Sequence, residues 1–117
     1  MNIQIYMNKR NFDVQRAERF FKERRIPYQL VDLKRHKLGA REMTLFASCI
    51  PVGDLVDRED KTVRNHPVCY MDNKEFILKE LTENPSLIRS PIVRNGNMAT
   101  IGSNPELWLK WINSDNK

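Results

Sequence analysis

Few residues in this 117-residue chain are equipped for chemistry, and they are scattered. Cys49 and Cys69 form no Cys-x-x-Cys pair, and with His36 and His66 they lack the number and spacing of a metal site. Nothing beside either cysteine is arranged to lower a thiol pKa, so both read as free thiols in a reducing compartment. A different chemistry is available at Asn11. This residue follows Lys9 and Arg10 and stands directly before an amphipathic run, where it suits a helix N-cap. The unpaired N–H groups of a helix N-terminus attract anions without any nucleophile, and Lys9 and Arg10 add positive charge around it.

The elements that would position these residues follow from periodicity. Ile3, Ile5 and Tyr6 predict a first strand over about residues 2–6, followed by the polar loop Met7 to Asn11. Phe12, Ala17, Phe20 and Phe21 recur at helical spacing, with Asp13 complementing the positive helix terminus and Pro27 ending the helix by about Arg25. Tyr28 to Leu33 alternates as a second strand, and a crossover of this length implies that the two strands are parallel. A basic linker from Lys34 to Lys37 precedes a helix over Arg41 to Ser48. Short helical pieces and turns are expected over 49–70. A further helix is expected from Asn73 to Glu83, carrying the apolar residues Phe76, Ile77, Leu78 and Leu81. The chain then changes character. Pro91 to Arg94 predicts a strand, Asn95-Gly96 a hairpin turn, and Met98 to Ile101 the returning strand, which Gly102 breaks. Ser103-Asn104-Pro105 caps a closing helix whose apolar face is Leu107, Trp108, Trp111 and Ile112.

Composition limits the function classes. Apolar residues make up 40% of the chain, enough for one buried core and one domain over 1–117. No apolar run approaches the ~20 residues of a membrane span, and the N-terminus has no basic region followed by an apolar stretch, so a cytoplasmic location is expected. Residues 1–41 hold eleven Lys and Arg against four Asp and Glu, or +7; the remainder holds nine against eleven, or −2. A basic N-terminal third can attract an anionic partner or substrate. Zinc-finger spacing, a helix-turn-helix pattern and RNA-binding aromatics are all missing, which gives no support to specific nucleic-acid reading.

The order β-α-β, helical insert over about 40–84, β-β-α is an α/β thioredoxin-like fold with a four-stranded mixed sheet. Its residues resemble the arsenate reductase (ArsC)/Spx family. Ile5-Tyr6, a four-residue loop and a helix with Arg16-Ala17 are similar to the family's opening. Asn84 to Val93 resembles its segment leading into a cis-proline strand, at Pro91 here, and Asn97 to Trp108 resembles its end.

The resemblance also locates what this chain lacks. The family's reactive cysteine, five positions after the tyrosine, corresponds to Asn11, and the second cysteine of its redox switches to Val14. An amide cannot form the covalent adduct. Of the arginines that hold the oxyanion, the one before the cis-proline corresponds to Ser90, with Arg89 one place earlier. A second aligns with Ser103 or Asn104, and the third matches Arg58. The expectation is therefore a non-catalytic binding or regulatory module without a cofactor or metal. Lys9, Arg10, Asn11, Arg58, Arg89 and Pro91 are candidates for an anion or ligand site, and the partner is a protein or a small anion. The alternative is a thiol-dependent reductase, glutathione-linked, using Cys49 or Cys69.

Overall fold

The computed structural model describes residues 1–115. In chain order the elements are β1 (Ile3–Met7), α1 (Phe12–Glu23), β2 (Tyr28–Asp32), α2 (Ala40–Cys49), α3 (Lys61–Arg64), α4 (Lys74–Glu83), β3 (Ile92–Asn95), β4 (Met98–Ile101) and α5 (Pro105–Asp115). The sheet order is β2-β1-β3-β4. β1 and β2 are parallel, whereas β3 runs antiparallel to both β1 and β4, so the sheet is mixed as expected.

Strand alternation divides the core into two layers. Ile3, Ile5 and Val93 face α1 and α5, where they pack against Phe20, Phe21, Trp108 and Trp111. Tyr6, Val31, Ile92 and Ala99 face the helical insert and meet Phe46, Leu55 and Leu81. The Trp108 indole N–H donates to Thr100 Oγ1 at 2.9 Å, which satisfies the polar end of a side chain buried in the first layer.

Four details differ from the sequence-based expectations. Phe12 is 79% exposed and leaves the apolar face, because Val14, Ala17 and Phe21 make the buried stripe. At ~100° per residue, Phe12 points nearly opposite Val14. Second, α1 ends at Glu23, two residues before the expected limit. The Ile26 N–H bonds to Phe21 O at 2.9 Å and the Arg25 N–H to Lys22 O at 3.0 Å. This Schellman pattern places Arg25 at φ +56° and reverses the chain before Pro27 is reached. Third, the hairpin turn is one residue later than expected. Asn95 still pairs with Met98, and Gly96 takes the first loop position at φ +62°. Fourth, Phe76 of α4 is 59% exposed, while Ile77, one position on, and Leu81, a turn beyond it, are buried.

The insert is fastened to the β1–α1 loop and to the segment before β3. Arg89 N–H donates to Leu55 O at 2.8 Å and Asp57 N–H to Leu87 O at 2.9 Å, and Val56 bridges Ile88. Lys9 Nζ reaches the buried Asp57 carboxylate at 3.0 Å and that of Asp60 at 2.8 Å. Asp60 also caps α3 through Thr62 N–H. Lys9, followed by the Thr62 hydroxyl and N–H, holds the Asp60 carboxyl well below its ordinary value. Its partner carboxylate in turn raises Lys9.

Two predictions follow from these contacts. Arg25→Gly removes a side chain from the left-handed region and is expected to stabilise the fold by about 0.5–1 kcal/mol in denaturant unfolding; a loss of stability would contradict the assigned cap. Because Asp60 is depressed on folding, its contribution is complete above the unfolded aspartate pKa and is lost as pH falls through the folded value. The raised Lys9 contributes below its unfolded pKa and loses its share as pH rises through the folded one. Lys9→Met should thus be less stable than the parent near neutrality, and the gap should close as pH drops below about 4. Chemical denaturation across that range measures it, and a gap constant down to acid pH would exclude the linkage.

Candidate functional site

Asn11 sits where β1 has ended and α1 begins, with extended backbone at φ −122° and ψ −178°. Its side chain is used at both ends. Oδ1 accepts the Val14 N–H at 2.8 Å, and Nδ2 donates to Ser90 O at 2.9 Å. The Ser90–Pro91 peptide is cis. Asn8 adds to the clamp: its N–H donates to Ser90 Oγ at 2.9 Å, and its Nδ2 donates to Ile88 O. The loop before α1 and the segment before β3 are therefore joined by three hydrogen bonds, all involving Asn8 or Asn11. Val14, the second redox position of the resemblance, is fully buried among core side chains.

The cations gathered near this loop have partners already. Lys9 is held by Asp57 and Asp60. Arg10 pairs with Glu18, which is itself buried and accepts the Tyr28 hydroxyl at 3.0 Å. Arg58 Nη1 donates to Cys69 O at 3.0 Å. Arg89 lies 4.0 Å from the Asp13 carboxylate and flat against Gly102, where a Cβ would stand 2.9 Å from its guanidinium. Arg16 approaches Asp13 as well, at 3.5 Å. Asp13 occupies the first turn of α1, so a carboxylate of the chain itself stands at the positive helix end.

Of the candidate residues, Asn11 and Pro91 meet across the Ser90 carbonyl, and Arg58 and Arg89 line one cavity of about 170 Å³. Asp54, Asp57 and Glu59 line the same cavity and offset those two charges. Lys9 does not line it but pairs with its wall residue Asp57, and Arg10 pairs with Glu18. Ser90 faces Asn8 through its hydroxyl while Arg89 faces Asp13, as the alternation of an extended segment requires. Asn104 Oδ1 accepts the Leu107 N–H at 3.3 Å and caps α5.

Both cysteines are free thiols. Cys49 Sγ faces Asn97 O at 3.6 Å, in the β3–β4 turn. That turn adjoins the start of β1, since Asn95 pairs with Ile3, whereas Asn11 follows the opposite end of the strand. Cys69 Sγ donates to Val63 O at 3.1 Å inside the insert. Among the described residues no group of three or more His, Cys, Asp or Glu is placed to hold a metal, and no helix is long and apolar enough to cross a membrane.

One residue was not singled out from the sequence, Asn8, which anchors the segment before β3; Asp13 was read as complementing the helix terminus but not as the partner of Arg16 and Arg89. The signal for Asp13 was present in its position two residues after a cap. Asn8 gave none, because its partners are about eighty residues away.

Comparison with known proteins places this geometry. The sequence matches the model of the ArsC family over residues 6–111. Among solved structures, the fold is similar to an arsenate reductase from Vibrio cholerae at a TM-score of 0.77 and 18% identity, covering 94% of this chain and 97% of that one. It is similar to an arsenate reductase (ArsC) related protein from Brucella melitensis at a TM-score of 0.70 and 21% identity, covering 96% and 95%. A protein named YffB superposes at a TM-score of 0.80 with 15% identity, over 92% and 96%. No functionally curated protein matches the chain by sequence. The matched stretch runs from Tyr6 at the head of the Asn11 loop to Trp111 in the closing helix, and the chain belongs to the ArsC family.

Proposed function

We propose that this ArsC-family chain is a non-catalytic binding or regulatory module of the cytoplasm, Spx-like in character, in which the redox site has become a structural joint. The observation that carries the reading is the double engagement of the Asn11 amide, by Val14 N–H at one end and Ser90 O at the other. A thiolate at this position would need those surroundings free for an oxyanion, and an amide offers no electron pair of comparable nucleophilicity. Asp13, close to Arg89 and Arg16, supports the same reading by supplying negative charge where an oxyanion would sit. The module needs no cofactor. Its partner is a protein or small anion, met by the outward face of α1, where Arg19 and Lys22 are exposed.

The competing reading is a glutathione-linked reductase with its thiol relocated to Cys49 or Cys69. A coupled arsenate-reduction assay with glutathione and glutaredoxin tests the two. The expected result is no turnover above background, in the parent and in Cys49→Ser/Cys69→Ser alike. Turnover that disappears in the double variant would establish a relocated nucleophile and end the non-catalytic reading.

The joint itself is testable by stability. Asn11→Ala removes the cap and the bond to Ser90 O, and is expected to cost about 1–2 kcal/mol. An unchanged melting curve would show that Asn11 holds nothing together.

A further inference from the structure

A second polar constellation lies on the insert-facing side of the sheet, away from the Asn11 loop. The register places Gln29, Gln4 and Arg94 in one row across β2, β1 and β3. Gln4 Nε2 faces Gln29 Oε1 at 3.5 Å. The next row inward is Val31, Tyr6 and Ile92, all buried. α2 covers the β4 side of this face, and over β1 and β2 it opens into a cavity of about 490 Å³ with Tyr6, Arg94, His36 and Glu42 in its wall. That volume lies within the range of small-molecule sites.

Charge in this wall is arranged in an unusual way. Arg94 Nε donates to Gly96 O at 2.8 Å, which fixes the guanidinium, and Nη1 reaches the Tyr6 hydroxyl at only 3.4 Å. Among the described residues no carboxylate comes within ion-pair distance of Arg94. On the other side, Glu42 accepts the Gly39 N–H at 3.2 Å and faces His36 Nε2 at 3.1 Å, leaving acceptor capacity unused. Burial would raise the Glu42 carboxyl, yet the Gly39 N–H, the Tyr6 hydroxyl and His36 together hold it below its ordinary value. A fixed cation and a fixed anion thus flank one phenol without neutralising each other. Asp32 and Arg35 also line the cavity, so beside His36 the wall holds two acidic and two basic side chains. A dianion would meet Glu42 and Asp32, and a simple amine would leave Arg94 unpaired.

We propose that this cavity binds the headgroup of a free α-amino acid, with its carboxylate on Arg94 and its ammonium toward Glu42. The planar guanidinium fork suits a carboxylate, and the Gln4 and Gln29 amides can donate to or accept from either polar end. The side chain of the ligand would leave over the outer strand β2. This site is independent of the Asn11 region and of whether the chain is an enzyme.

The test is titration of the isotope-labelled full chain, followed by amide chemical shifts, with the common L-amino acids added singly. Saturable shifts centred on Gln4, Tyr6, Gln29 and Arg94 with at least one amino acid are expected, and its N-acetylated form should bind at least tenfold more weakly. Arg94→Gln should weaken binding tenfold or more. If that variant fails to fold, Gln29→Ala on the exposed strand serves instead, with severalfold weaker binding and an unchanged melting curve. No saturable shift with any amino acid would overturn the proposal. So would equal binding of the N-acetylated form, or stronger binding of inorganic phosphate.

Discussion

The Asn11 side chain joins two parts of the chain that nothing local would bring together. Its oxygen starts α1 by taking the Val14 N–H, and its nitrogen fastens the backbone of Ser90, seventy-nine residues further on. Because a primary amide carries both donor and acceptor, one side chain can satisfy a helix end and a carbonyl at once. The consequences spread outward from there. Ser90 held in place sets where β3 begins, β3 pairs with β1, and the insert hangs from residues 55–57 and 87–89 just outside that joint. Asn8 reinforces the same junction from inside, with its N–H on Ser90 Oγ.

Electrostatically, the region is closed upon itself. The helix N-terminus, Arg16 and Arg89 converge on Asp13, while Lys9 and Arg10 are committed to carboxylates of the insert and of α1. The pairs that Arg16 and Arg89 make with Asp13 are exposed and add little stability individually. Their effect here is on charge: the positive potential that an oxyanion would need is already answered by residues of the chain. Gly102 belongs to this arrangement because its bare Cα lets the Arg89 guanidinium lie against the backbone within reach of Asp13.

Much of the fold was legible because it is written in local periods. The β-α-β opening, α4, the closing hairpin and α5 behind Asn104-Pro105 each announce themselves within a dozen residues. Phe12 misled because an aromatic residue at the first helical position looks apolar in a list yet points away from the Val14–Ala17–Phe21 stripe. The end of α1 was missed because Arg25 adopts a conformation that sequence reading reserves for glycine. At the site, the sequence identified Asn11 as a cap, but its second bond and the engagements of Lys9 and Arg89 depend on long-range partners, and that of Arg10 on Glu18 within α1. No single-sequence pattern encodes which carboxylate an arginine will meet, and Asn8 was invisible for the same reason.

The sheet order has a bearing on biosynthesis. β1 is the first strand made, and it is central: its neighbours are β2, available almost at once, and β3, which begins at Ile92. Before β3 arrives, β1 is paired on one side only, with β2, and α1 alone is available to cover its Ile3 and Ile5 face. Until residues 92–95 leave the ribosome, several seconds later at ordinary elongation rates, β1 has an open edge of apolar residues and α1 lacks the Trp108 and Trp111 that will seal it. Nascent chains of this protein therefore cannot close the core until β3 and the closing helix are available to β1 and α1. In that interval the β3-facing edge of the first strand is unpaired, and its closure is a long-range step that no local contact can hasten.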